Sequence, residues 1–258
     1  MKKIALVCGL AALSVPVSPV AAQDSGATRV RVGLGAEFTP EYPGADDNEF
    51  GPLVDFSLAR GGEVFEFSAP DDSFDIELIS TGGFSFGPVV NLQNARKNSD
   101  VGAPVGKVST TIEAGGFVEF EASESFRLRG EVRRGLGGHD GLISSLGADY
   151  VARDGDNYVF SIGPRLLLSD KKYQRAYFGV TPEASLLTGL PVYDPDGGIH
   201  AVAATTSLYY SFNPTWGMFG YGRYERLVGD AKDSPIVEEF GSENQFSAGV
   251  GLTYTFTM

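Results

Sequence analysis

The feature that most constrains this chain is a two-residue alternation that runs almost from end to end. In residues 28–38, Val30, Val32, Leu34, Ala36 and Phe38 are interleaved with Arg29, Arg31, Gly33, Gly35 and Glu37. In residues 244–256, Phe246, Ala248, Val250, Leu252, Tyr254 and Phe256 are interleaved with Gln245, Ser247, Gly249, Gly251, Thr253 and Thr255. Successive side chains of a strand point to opposite faces, so each segment has one apolar face and one polar or very small face. Similar segments recur at 51–59, 63–69, 74–79, 84–93, 108–122, 126–135, 142–153, 157–168, 175–187, 199–212 and 215–227. Turn residues separate them, among them Gly61-Gly62, Asp71-Asp72, Gly82-Gly83, Asp154-Gly155-Asp156-Asn157 and Asn213-Pro214. No helix-period stretch of useful length interrupts the pattern, so the reading is all-β.

The beginning of the chain reads as an export signal. Lys2 and Lys3 precede an apolar stretch over 4–15, and Val20-Ala21-Ala22 offers small residues for cleavage before Gln23. This predicts a signal peptide over 1–22 and a single domain over 23–258. Cys8 lies early inside the apolar stretch without a small residue before it, so lipidation is not expected. No later segment approaches the ~18 consecutive apolar residues of a membrane helix. An exported all-β chain is then either a soluble sheet protein or a β-barrel of the outer membrane.

Three features favour the membrane. Several strands read long enough to cross a bilayer at a tilt. Aromatic residues gather near strand ends, namely Phe38, Tyr150, Tyr158, Tyr177, Phe212, Trp216, Tyr224 and Phe256, as interfacial girdles require. The polar face also carries charge in mid-strand. A hairpin over Ser123-Glu124-Ser125 pairs Glu121 with Arg127 and Glu119 with Arg129, all on one face, while Ile112, Val118, Phe120, Phe126, Leu128 and Val132 occupy the other. Opposite charges across a ladder contribute roughly 0.2–1 kcal/mol. A charge at the lipid midplane costs roughly 2–4 kcal/mol. The charged face therefore points to the lumen. Arg134 and Arg226, on the apolar face, sit at strand ends where their long stems can reach the headgroups. The expected fold is a transmembrane antiparallel β-barrel of about 12 strands. The thirteen segments become twelve if 74–93 is one bent strand broken at Gly82-Gly83, because termini on one side demand an even number.

Composition narrows the function. With 33 Asp+Glu against 20 Lys+Arg, the net charge of −13 argues against nucleic acid. A lone cysteine excludes an internal disulfide, and two histidines leave little for zinc. His139-Asp140 within Gly137-Gly138-His139-Asp140-Gly141 invites comparison with a Ser–His–acid site, but no G-x-S-x-G elbow is present. A glycine-rich turn with a hydrogen-bonded histidine is the plainer reading, and no catalytic residue is expected. Asp194-Pro195-Asp196-Gly197-Gly198 starts like a calcium loop, yet Thr205 stands where the bidentate Glu belongs. Asp46-Asp47-Asn48-Glu49 is similarly oxygen-rich, and both read as solvated turns, so no metal or cofactor is expected. The long loop Asp230-Ala231-Lys232-Asp233-Ser234-Pro235-Ile236-Val237 has an apolar tip. Asp230, Asp233, Ser234, Pro235, Ile236 and Val237 form either an interaction loop or a loop packed back into the barrel mouth.

Several runs carry a resemblance. They include Gly33-Leu34-Gly35, Thr39-Pro40-Glu41-Tyr42-Pro43-Gly44, Gly87-Pro88, Arg96, Gly138-His139-Asp140-Gly141 and Tyr177-Phe178-Gly179-Val180. They continue with Thr188-Gly189-Leu190-Pro191-Val192-Tyr193, Gly229-Asp230-Ala231, Asp233-Ser234-Pro235-Ile236-Val237, Gly241-Ser242, Gln245 and Tyr254-Thr255-Phe256. In their order and spacing the chain resembles the MipA/OmpV family of outer-membrane proteins, the MltA-interacting proteins. It departs at Ala95, where glycine is usual before Arg96, and at Thr257-Met258, which follow the usual terminal aromatic. The resemblance implies an outer-membrane scaffold that docks murein-remodelling enzymes, a lytic transglycosylase and a bifunctional penicillin-binding protein. It implies no catalytic residues, and other members are porin-like, so a channel for small solutes is the alternative.

Overall fold

The computed structural model describes residues 27–258, and the signal peptide read over 1–22 lies outside them. The strands are β1 (Thr28–Pro40), β2 (Asn48–Arg60), β3 (Phe74–Asp75), β4 (Ile79–Thr81), β5 (Phe84–Gln93), β6 (Thr111–Ser123), β7 (Phe126–Leu136), β8 (Leu142–Asp154), β9 (Tyr158–Ser169), β10 (Gly198–Ser211), β11 (Trp216–Leu227) and β12 (Asn244–Thr257). Five short helices lie between them: α1 (Asn98–Val101), α2 (Lys171–Phe178), α3 (Pro182–Thr188), α4 (Gly229–Lys232) and α5 (Pro235–Phe240). All twelve strand segments belong to one antiparallel sheet, in the order β2-β1-β12-β11-β10-β9-β8-β7-β6-β5-β3, with β4 also on β5. The first strand pairs with the last, Phe38 opposite Ala248 and Arg29 opposite Thr257, so the curled barrel sheet runs on across the termini and its two edges are β2 and the β3–β4 run.

Burial follows the alternation. Leu34, Phe50 and Val250 are 69%, 81% and 58% exposed, and Val118, Leu128 and Val132 also look outward. Glu113, Arg127, Arg129, Glu131, Asp149 and Arg165, on the other face, are buried. Two aromatic belts flank the apolar band. One holds Trp216 against Tyr254 at 5.0 Å and Phe126 against Tyr150 at 5.3 Å; the other holds Phe38 against Phe50 at 5.2 Å and Tyr224 against Phe246 at 5.0 Å. A greasy outer wall with interfacial rings around a charged interior is a membrane barrel. The protein resides in the outer membrane.

Connections 82–83, 124–125, 155–157 and 212–215 are short and share an end with the termini, where Thr28 and Met258 exchange backbone hydrogen bonds of 3.1 and 2.8 Å. That end is periplasmic, because outer-membrane barrels keep their short turns there. The longer connections 41–47, 94–110, 137–141, 170–197 and 228–243 form the outer mouth. They pack into a cap that holds the hydrophobic clusters. Tyr173, Tyr177, Phe178, Leu227 and Val237 form one; Tyr42, Val105, Val180, Ala184 and Ile236 form the other.

Three sequence expectations need correction. Residues 175–187 form helices, not a strand. Asp170 accepts a hydrogen bond from the Tyr173 N–H at the start of α2, and Thr181 with Pro182 starts α3. Tyr177 accordingly lies in the cap core, outside the aromatic belts. Gly82-Gly83, both at positive φ, make a hairpin turn, so 74–81 and 84–93 are two strands and not one bent one. β3 and β4 are pieces of the same run, bridged by the N–H groups of Ile76 and Leu78 bonding Pro88 and Phe86 carbonyls. Residues 63–69 are not in the wall, since the chain from Gly61 to Ser73 climbs through the lumen. Counting that climb, β1, β2, the lumen segment, the β3–β4 run and β5 to β12 make twelve passes, which satisfies the even number with one pass off the sheet.

Candidate functional site

The lumen is crossed by a web of charge, and the inward segment 61–73 supplies its centre. The β6–β7 hairpin has the expected register, Glu119 opposite Arg129 and Glu121 opposite Arg127. Glu119 bonds Arg129 at 3.0 Å. The expected Glu121–Arg127 pair does not form among the described residues. Arg127 instead spends its guanidinium on Asp72 at 2.6 Å, Asp149 at 2.7 Å and Glu119 at 3.2 Å. A guanidinium has five donors in a fixed fork, so buried carboxylates outcompete a solvated one at the strand end.

Asp71 is gripped from three wall strands at once. Arg165 donates Nε and Nη2 to it, both at 3.0 Å, the Thr205 hydroxyl donates at 3.0 Å, and Arg223 adds a second cation. These donors come from β9, β10 and β11, while Asp71 belongs to no strand. Asp149 on β8 joins the two halves of the web, accepting from Arg127 at 2.7 Å and Arg165 at 2.8 Å. Glu131 takes Arg129 at 2.9 Å, Arg133, and the Ser73 hydroxyl at 2.7 Å. Lower in the lumen, Phe65 lies under Arg29 and Arg31, with guanidinium carbons 4.9 and 4.7 Å from the ring centre, and Phe67 lies 4.7 Å from Arg127. Between Asp71, Asp72, Arg127, Arg165 and Arg223 remains a cavity of about 180 Å³, room for roughly half a dozen waters.

Above the web, His139 is fully engaged. Its Nε2 faces Glu113 at 3.2 Å and its Nδ1 accepts from the Gly141 N–H at 3.1 Å. A Cβ on Gly135 would collide with the ring, so glycine there makes the room. His200 is also buried, its ring 5.3 Å from that of Tyr173.

The long-loop residues take up the mouth. Ser234, Pro235, Ile236 and Val237 are buried, and the Ser234 hydroxyl donates to the Phe178 carbonyl at 2.7 Å. Asp230 accepts from the Asp196 N–H at 2.7 Å, and the Asp233 N–H closes α4 on Gly229. Of the two readings of this loop, it is the packed-back one that the structure displays. Arg175 and Lys171 bond the exposed Asp194 and hold its carboxyl at about 2. Sequence reasoning gave Arg96 no chemical role. It is buried in the cap, donates to the Tyr177 carbonyl at 2.5 Å, and faces the rings of Tyr42 and Tyr177. Burial lowers its pKa, and burial likewise pushes the Tyr42 hydroxyl up to about 12.

The family model described as MltA-interacting protein MipA matches residues 32–256. The chain belongs to that family. The MipA match takes in the barrel wall, the lumen segment and the cap together. No curated protein matches the chain. Among solved structures, the chain is similar to the outer membrane channel DcaP of Acinetobacter baumannii, with 9% identity, a TM-score of 0.42, and 91% of this chain and 99% of that one covered. The COG4313 outer membrane channel from Pseudomonas putida F1 gives 11% identity and a TM-score of 0.43 over 94% and 100% of the two chains. The KdgM porin in complex with disordered oligogalacturonate gives 10% and 0.38 over 89% and 99%.

Proposed function

We propose that the protein is a porin-like channel for small acidic solutes, closed in the described state by its own residues 61–73. One observation carries the reading. Asp71 sits in the lumen as a carboxylate guest, held by two arginines and a threonine of three wall strands, while not itself part of the wall. A site that grips one carboxylate by a bidentate guanidinium fits another of similar size. No catalytic step and no cofactor belong to this reading.

Proteoliposomes test it with two solutes of equal size. Glutamate is expected to enter faster than glutamine, and Arg165→Gln with Arg223→Gln to abolish the preference. Equal entry of the two through the unaltered protein would sink the reading.

A second reading is favoured by the shut lumen and by the family to which the chain belongs. A plugged barrel anchored by its wall can serve as a docking protein for murein-remodelling enzymes, the lytic transglycosylase for which the family is named and a penicillin-binding protein. The contact would then be the periplasmic rim, since residues 234–237 are buried in the opposite mouth. Capture of a murein lytic transglycosylase from detergent extracts by the tagged barrel is the expected result, and extracts in which none is retained would remove it.

A further inference from the structure

The two ends of the sheet are not joined. β2 pairs only with β1, the β3–β4 run pairs only with β5, and among the described residues no backbone hydrogen bond links β2 to β3, β4 or β5. A side-chain bond from Asn94 to Glu49, at 2.9 Å, spans them near the outer mouth. Both free edges carry lipid-facing side chains: Val54, Phe56 and Leu58 on one, Phe74, Ile76 and Leu78 on the other. Unpaired backbone groups in hydrocarbon cost several kcal/mol each, which is why membrane barrels close. The pass missing from the wall is the one that runs through the lumen.

The segment that left the wall still has the pattern of a wall strand. Phe65, Phe67 and Ala69 alternate with Val64, Glu66 and Ser68. Its two turns are already made. The Glu63 N–H bonds the Arg60 carbonyl at 3.0 Å across Gly61-Gly62, with Gly61 at φ +55, and the Asp72 N–H bonds the Ala69 carbonyl at 3.0 Å across Pro70-Asp71. A two-residue hairpin fixes register. Zipped from the first turn, Phe65 falls opposite Leu58, Phe67 opposite Phe56 and Ala69 opposite Val54, all toward lipid. Glu66 and Ser68 then fall opposite Ser57 and Asp55, toward the lumen. Zipped from the second turn, Phe67 falls opposite Phe74 and Phe65 opposite Ile76, again toward lipid, with Glu66 opposite Asp75 inside. Both turns independently place the same residues on the same faces. In the lumen that order is inverted, with Phe65 and Phe67 against cations and Glu66 exposed.

We infer that residues 63–69 exchange between two positions, a plug in the lumen and a strand in the wall between β2 and β3. In the wall position the seam gains hydrogen bonds on both edges, and Asp71 and Asp72 withdraw from Arg165, Arg223 and Arg127. The exchange is the opening motion of the proposed channel, and it rests on that reading only for its consequence, not for its geometry.

Cysteine pairs test it, since Cys8 is the sole cysteine of the sequence and precedes the expected cleavage site. Ser57→Cys with Glu66→Cys are directly opposed in the wall register, at a closely spaced non-hydrogen-bonded position. Asp71→Cys with Thr205→Cys are adjacent in the plug, where the native side-chain oxygens lie 3.0 Å apart. Each full-length variant is reconstituted, shown to be folded by its heat-modifiable gel mobility, and treated with a short bis-thiosulfonate, which joins the two thiols through disulfides that a reductant cleaves. Both pairs are expected to link, the first giving a current in planar bilayers that is lost on reduction, the second giving silence. A folded Ser57→Cys/Glu66→Cys protein that stays unlinked while the second pair links overturns the exchange. Linkage of the first pair without current leaves the exchange standing and removes the channel reading instead.

Discussion

Replacing Asp149 by alanine is expected to destabilise the barrel by about 3–5 kcal/mol, the cost of removing one partner from a buried charge pair. Its carboxylate is 2.7 Å from Arg127 and 2.8 Å from Arg165, and is almost wholly buried. After the substitution Arg127 keeps Asp72 and Glu119, and Arg165 keeps Asp71, so the loss falls toward the lower end of that range. Asp149→Asn retains the volume and one acceptor per amide, and is expected to lose less. Asp194→Ala, which breaks an exposed pair with Arg175, is expected to leave the midpoint in place, because exposed pairs contribute little. Urea unfolding in lipid vesicles, followed through the single tryptophan Trp216, compares the three. An Asp149→Ala midpoint equal to that of Asp194→Ala would mean that the web is decoration and that the wall alone holds the fold.

The wall was legible from the residues because membrane barrels have one rule for each face, and the β6–β7 turn fixes register locally. The partners of Arg127 were not. Asp72 reaches it from a segment far away in the chain, and no spacing in the sequence announces that a run of strand-like residues will leave the wall. Alternation specifies that Phe65 and Phe67 share a face; it does not say whether that face meets lipid or guanidinium groups. Both surroundings accept an aromatic ring. The cap is a different case. Asp170, three residues before Tyr173, and Thr181-Pro182-Glu183 are helix-start signals that stand in the sequence. A β-pattern of adjacent aromatic and polar residues over 175–187 masked them. The apolar tip of Pro235-Ile236-Val237 was ambiguous for a physical reason: a loop that seals a barrel mouth and a loop that binds a partner need the same greasy side chains.

The largest functional effect is expected from Asp71→Ala combined with Asp72→Ala. In the plugged state these carboxylates satisfy Arg165, Arg223 and Arg127, with both members of each pair largely buried. With the segment in the wall, the same arginines face a wider, hydrated lumen and need these partners far less. The substitution therefore penalises the plugged state and largely spares the other. A differential loss of about 3 kcal/mol, the lower figure for a broken buried pair, corresponds to roughly a hundredfold change in the plugged-to-open ratio. The hold that remains on the segment is made of hydrogen bonds, such as the Ser73 hydroxyl to Glu131 at 2.7 Å, the Phe65 N–H to Asp156 at 3.0 Å and Arg153 to the Phe65 carbonyl at 2.9 Å, and of the guanidinium contacts to Phe65 and Phe67; none of these replaces the lost ion pairs. Single-channel recording is expected to show the unaltered protein almost always shut and the double variant open for much of the time. Adding Ser57→Cys and Glu66→Cys to that variant is expected to raise the cross-linked fraction in parallel with the open time. A double variant that folds and stays as silent as the parent protein would show that the ion pairs of Asp71 and Asp72 do not hold the segment in place.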